Sequence, residues 1–265
     1  MQKVKNNTQL PEAAPCLPQE VVEDILDYLR TDSRSLHACS LVCKAWVPRS
    51  SYHLFRHILL TAKDIPKFRT TAIKCPRICL NVAKLSVVAS QSRGDITDVV
   101  LSLPHIQSLR VTCDWMTGIT VRHTRRRIDH LELHHLRPRV STTLLRAFTS
   151  IRKLVISECF LEPDLVLPTE VSEVTYASAR DPYGGERHVL PQFHNSQTFT
   201  WLKLDLRNGG GRAMHLSPIA DSEIMESLLH TVGEHIEHLE YVPTPYSWSW
   251  EKPTATGWSW YIPIQ

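Results

Sequence analysis

Apolar and polar positions follow two rhythms along this chain. In LPQEVVEDILDYL, Val22, Ile25, Leu26 and Leu29 fall on one face of a helix, and Glu20, Glu23, Asp24 and Asp27 on the other. That 3.6-residue period predicts an amphipathic helix, with the acids placed early, as the helix dipole prefers. Pro18 suits the first helical position, where its missing N–H costs nothing. Asp32 or Ser33 can cap a second helix. Along that helix Leu36, Cys39, Cys43 and Trp46 share a stripe, with Val42 beside it and Pro48 limiting its C-terminal end. Cys39 and Cys43 therefore read as small buried apolar side chains and not as metal ligands. Two or three such helices over about 35 residues cannot bury both a shared core and a surplus apolar face, so the surplus predicts a partner.

Past residue 54 the rhythm changes to apolar, two residues, apolar, one residue, apolar. It runs through Phe55-Ile58-Leu60, Val82-Leu85-Val87, Ile106-Leu109-Val111, Ile128-Leu131-Leu133 and Ile151-Leu154-Ile156. It continues at Val171-Val174-Tyr176, Phe199-Leu202-Leu204 and Ile236-Leu239-Tyr241, in steps of 20 to 28 residues and a last step of 37. Helices are predicted between strands over 95–103, 141–148 and 221–232, each opening on a capping residue: Asp95, Ser141 and Asp221. Helix then short strand, repeated, gives a parallel sheet with helices outside, an α/β architecture. The stretches 179–197 and 207–212 are rich in turn formers and read as loops.

Side chains alternate along a strand, so the residues between the apolar positions face away from the core. These are Ser108, Arg110, Thr112, His130, Glu132, His134, Lys153, Glu173, Thr175, Trp201, Lys203, Asp205, His238 and Glu240. The set is mixed in charge, and Trp201 is its one large aromatic anchor, a residue type that often dominates an interface. Arg110, His130, Glu132, His134, Lys153, Trp201, Lys203 and Asp205 are the candidate target contacts.

Two resemblances sharpen this picture. Leu17-Pro18, Glu20, Ile25-Leu26, Leu29, the Val42-Cys43-Lys44-Ala45-Trp46 string and Leu54-Phe55 together resemble an F-box over about residues 17–60. The polar RTDSRS at 30–35 departs from the pattern, since many members carry an apolar residue and proline there. The resemblance implies a three-helix motif that docks on the Skp adaptor of cullin–RING ubiquitin ligases. It makes Leu17, Pro18, Val22, Ile25, Leu26, Val42 and Trp46 the candidate adaptor contacts. The body resembles irregular leucine-rich repeats, a solenoid whose 20–29-residue units carry LxxLxL strands. Its best copy is IRKLVISECFL at 151–161, where Cys159 and Leu161 fit the repeat.

Composition changes this little. The chain has 265 residues, 42% of them hydrophobic and 22% charged, with a net charge of +3. That charge is too mild to argue for nucleic acid. The arginines of VRHTRRRIDH, at 121–130, lack interleaved aromatics and read as a solvated loop. No apolar run reaches the roughly 18 residues of a membrane span. Seven cysteines without a CxxC, and no signal-like start, predict free thiols and a cytoplasmic or nuclear setting. CPRIC at 75–79 reads as a loop or helix edge. His130, Glu132 and His134 in HLELH spread over ~13 Å of strand, which disfavours one shared ion. No catalytic motif appears, and no cofactor is expected.

The expected organisation is a disordered tail at 1–15, an F-box-like helical domain at 16–60, a leucine-rich-repeat-like domain at 61–245 and a Trp-rich tail at 246–265. The last suggests a hairpin that places Trp248, Trp250, Trp258 and Trp260 on one face and caps the final repeat. The resemblances imply a non-enzymatic substrate receptor of an SCF-type ubiquitin ligase, bound to the Skp adaptor and to an unknown protein target. The alternative is a repeat scaffold without a ligase role. A hydrolase or metal enzyme built on the histidine-rich strands is the third reading.

Overall fold

The computed structural model describes residues 17–89, 94–113, 119–122, 124, 126–136, 138–159, 167, 170–177, 200–205, 236–242 and 260–263. The predicted tail at 1–15, the loops at 179–197 and 207–212, the helix at 221–232 and Trp248, Trp250 and Trp258 lie outside these residues. The chain divides into two compact units, Met1–Phe55 and Arg56–Gln265.

The first unit holds three helices, α1 (Gln19–Tyr28), α2 (Ser33–Ser40) and α3 (Val47–Arg56). Asp32 caps α2 by accepting from the backbone N–H groups of Arg34 and Ser35, which satisfies donors that a helix start leaves orphaned. Pro48 does not close α2, as its position suggested. It lies in the first turn of α3, where proline's missing N–H is tolerated. The helix expected to run to residue 47 therefore stops at Ser40 and gives way to turns. Val22, Leu26 and Leu36 form the core of this head, with Leu29, Cys39, Trp46 and Leu54 packed partly against it. Cys39 is only half-buried, and Cys43, carried by the turns, is exposed, where both were expected to be buried.

The second unit is built on a nine-stranded sheet. Its strands are β1 (His57–Thr61), β2 (Lys84–Ala89), β4 (Ser108–Cys113), β6 (Arg126–His134), β7 (Phe148–Ser157), β8 (Glu170–Ala177), β9 (Trp201–Asp205), β10 (His238–Val242) and β11 (Trp260–Pro263), in that spatial order. Two short strands, β3 (Gly94–Asp95) and β5 (Ile119–Thr120), pair with each other. From β1 to β10 every pairing in the large sheet is parallel, and β11 joins β10 antiparallel. β11 lies in the Trp-rich tail and lines that edge of the sheet, the place given above to a cap.

Between the strands lie α4 (Ile65–Lys74), α5 (Pro76–Asn81), α6 (Thr97–Ser102) and α7 (Pro138–Arg146). CPRIC thus belongs largely to α5. Phe55 ends in α3 and Val82 just past α5, so the first position of each of those two triplets is helical or connecting and not strand. Ser141 is buried inside α7, which starts three residues earlier than its capping pattern suggested. The apolar strand positions Leu85, Val87, Leu109, Val111, Leu131, Leu133, Leu154, Ile156, Val174, Leu202 and Leu204 are buried in one continuous core with Val99, Val100, Leu144 and Leu145 of the helices.

Polar side chains tie the layers together. Arg126 donates to the carbonyls of Val100, Leu101 and Leu103 at 3.1, 3.0 and 2.8 Å, and so satisfies the end of α6. Arg127 lies 3.6 Å from Glu170, and Arg122 lies 3.5 Å from Asp95. Part of the arginine run read as a solvated loop is therefore structural. Cys159 is buried, and its Sγ lies 3.2 Å from the Leu133 carbonyl and 3.4 Å from the Leu136 N–H. Burial pushes this thiol up to about 12.

Candidate functional site

The head divides its apolar residues between an interior and a surface. Leu26 and Val22 face inward and are buried; Leu17, Val21, Ile25 and Tyr28 of the α1 region are exposed, as are Leu41, Val42 and Val47 around the α2–α3 turns. Of the predicted adaptor contacts, Leu17, Pro18, Ile25 and Val42 lie at the surface and Trp46 is half-buried. Val22 and Leu26 support that surface from beneath. Sequence periodicity alone could not make this division, because a helix with apolar residues at 21, 22, 25, 26 and 29 presents a stripe wider than one core. Val21 was missed for the same reason, and Tyr28, Leu41 and Val47 were missed because their exposure is set where helices end and begin.

A polar staple, also missed, fixes α1 against α3. Arg49 makes a two-pronged contact with the Asp27 carboxylate, its Nε donating to Oδ1 at 2.6 Å, and His53 Nε2 lies 2.7 Å from the same oxygen. The Arg49 guanidinium lies 5.4 Å from the centre of the Tyr52 ring. The hydrogen bonds from Arg49 and then His53 hold the Asp27 carboxyl well below the usual carboxylate range. The staple thus links α1 to α3 within the head.

On the sheet, the side opposite the core carries the predicted target contacts Arg110, His130, Glu132, His134, Lys153, Trp201 and Lys203. Arg110 pairs with Glu132 across β4 and β6. His130 and His134 each place Nε2 3.4 Å from the Glu132 carboxylate. Burial pushes Glu132 up, but its hydrogen bonds with Arg110 and His134 outweigh this and leave it below its ordinary value. Burial lowers His130, and Glu132 opposes that shift only in part, while Lys153, Lys84 and Arg110 add to it. Lys153 lies 3.4 Å from Glu173 and 5.8 Å from the centre of the Trp201 ring, and Lys203 lies 2.6 Å from Glu240. Asp205 ends β9 in register with Ala177 and Val242. Arg110, His130, Glu132, His134 and Lys153 thus form one connected cluster that reaches Trp201, and Lys203 with Glu240 form a second pair. Among the described residues no group of three or more His, Cys, Asp or Glu is arranged to hold a metal ion.

On the helical side, Ala72, Ile73, Pro76, Cys79, Leu80 and Pro104 line an open apolar depression of about 460 Å³, with Arg69 and Asp98 at its rim. It lacks the convergent polar groups that fix a small ligand. No described helix is long and apolar enough to cross a membrane.

Residues 14–61 match the family model described as F-box-like. The head is F-box-like. No curated protein and no solved structure matches the chain. The three helices of the F-box-like head fit that motif, and the body is a parallel sheet with helices, an α/β arrangement. F-box domains typically bind the Skp adaptor within SCF complexes, and F-box proteins are generally non-catalytic substrate adaptors of such ligases.

Proposed function

We propose that this chain is the substrate-recognition subunit of an SCF-type ubiquitin ligase. The observation that carries the reading is the F-box-like head, whose apolar residues Leu17, Val21, Ile25, Tyr28 and Val42 stand exposed beside a core already complete without them. Exposed apolar side chains clustered on one small unit mark an interaction surface. The Skp adaptor occupies that surface, and Trp46 is partly covered by it. The body acts as an irregular leucine-rich-repeat-like solenoid. The recurring apolar triplets and the in-register parallel strands support that description. Its open sheet face holds a protein target through the cluster of Arg110, His130, Glu132, His134, Lys153 and Trp201, with Lys203 and Asp205 beyond.

The mechanism is positional. Holding target and ligase on one chain raises their effective concentration, and the chemistry of ubiquitin transfer takes place on other subunits. The chain is no enzyme and works in the cytoplasm or nucleus, without nucleic acid, membrane or cofactor.

Capture of a tagged full-length chain from cells tests the reading. The expected result is that adaptor and cullin come with it, and that the double variant Ile25→Asp, Val42→Asp loses both while keeping partners of the sheet. A chain that retains sheet partners and never brings adaptor supports the scaffold alternative instead.

A further inference from the structure

Charge on the open sheet face is unevenly balanced. Arg110, Lys153 and Lys203 each have a carboxylate of the face beside them, Glu132, Glu173 and Glu240. Lys84 on β2 is exposed and meets no carboxylate among the described residues. Its register neighbours are His57 on β1 and Ser108 on β4. The next row along the strands is Leu59, Ser86 and Arg110, and the row after it is Thr61, Val88 and Thr112. Glu132 is only 13% exposed beneath Arg110, which is 53% exposed, so the charge turned to solvent there is positive.

An apolar patch adjoins this cationic strip. Leu59 is 66% exposed and Val88 38%, both on the open face. Leu59 stands one strand across and two residues along from Lys84, a diagonal of about 8 Å for parallel strands ~4.8 Å apart with a rise of ~3.3 Å per residue. In an extended chain, side chains two residues apart on one face are separated by about 6.6 Å. The two spacings differ by only about 1.5 Å, which the long lysine and glutamate side chains take up.

We propose that β1, β2 and β4 form the docking site for an extended acidic segment of the target, carrying an apolar side chain two residues from a carboxylate. The apolar side chain covers Leu59 and Val88, the carboxylate meets Lys84, and the hydroxyls of Ser86 and Ser108 donate to either side of it. This rests on reading the sheet face as the target surface and adds the chemistry of what is held there. A basic segment would set like charges against Lys84 and Arg110. β1 is the outer strand of the sheet, so a segment can lie across this corner without threading past another strand.

Fluorescence anisotropy with the full chain tests the proposal, using a labelled ten-residue peptide of alternating leucine and glutamate. Companion peptides carry lysine for glutamate, or serine for leucine. The leucine–glutamate peptide is expected to bind and the lysine peptide not to. Lys84→Glu weakens binding at least tenfold and Lys84→Gln at least threefold, while Arg77→Glu, the same charge reversal at an exposed position of α5, changes it less than twofold. Leu59→Ser weakens the leucine–glutamate peptide and leaves the serine–glutamate peptide unchanged. Equal losses from Lys84→Glu and Arg77→Glu overturn the proposal, because only net charge is then being read. A chain that binds the adaptor but treats acidic and basic peptides alike also overturns it, and leaves the receptor reading in place.

Discussion

Adjacent residues on α1 allow folding and adaptor binding to be separated. Leu26 is 0% exposed and sits between Val22 and Leu36, whereas Ile25 is 39% exposed. Leu26→Ala leaves a cavity in a core of very few residues and should cost about 2–5 kcal/mol of head stability. Ile25→Ala leaves that core intact. The exposed part of Ile25, roughly 70 Å² for a side chain of this size, is worth about 1.7 kcal/mol at ~25 cal/mol per Å² if the adaptor covers it fully. Truncation to alanine removes most of this area, so affinity should fall about tenfold. Calorimetric titration with purified Skp adaptor reads the binding, and hydrogen exchange of the α1 amides reads head stability. Leu26→Ala should lower both; Ile25→Ala should lower only affinity. Ile25→Ala with unchanged affinity, or with exchange accelerated as far as in Leu26→Ala, would refute the division into core and docking surface.

Other consequences are separately measurable. Asp27→Asn should loosen the α1–α3 staple and cost about 1 kcal/mol, a modest figure because the carboxylate is partly exposed to solvent screening; α1 amide exchange at neutral pH should speed up roughly fivefold. Since the folded carboxyl is depressed, its stabilisation is present above the ordinary value of 3.8 and is lost as pH falls below it, so wild type and variant should converge in acid. Leu131→Ala, in the middle of the sheet core, should lower the melting free energy of the body by about 3–5 kcal/mol without changing adaptor affinity, as read by thermal denaturation and titration. A thiol reagent at pH 8 should modify exposed Cys43 and Cys75 within minutes in the native chain and Cys159 only on unfolding, as mass mapping of labelled peptides would show.

Much of this fold follows from local pattern. The strand triplets were readable because burial on one side imposes a two-residue period, which holds at the last two positions of the triplets from Leu85-Val87 to Leu202-Leu204. The head was readable as helical for the matching reason. Boundaries set by a single residue's context were not. Pro48 is compatible with ending one helix or starting the next, and local pattern does not choose between them. Cys43 followed the stripe in sequence and left it in space once the helix ended. The Asp27–Arg49–His53 staple joins residues more than twenty positions apart on separate helices, so no local spacing announced it. The Arg126 contacts to α6 carbonyls depend equally on tertiary placement. On the sheet, Lys84 became conspicuous only when register set Arg110, Lys153 and Lys203 beside carboxylates and left it beside none among the described residues.

Calorimetric titration of the purified wild-type chain with the Skp adaptor tests the receptor role most directly. Saturable binding with one adaptor per chain is expected, with a negative heat-capacity change from covering Leu17, Val21, Ile25, Tyr28 and Val42. No heat and no co-elution at micromolar concentrations, with the head shown to be folded, would contradict it.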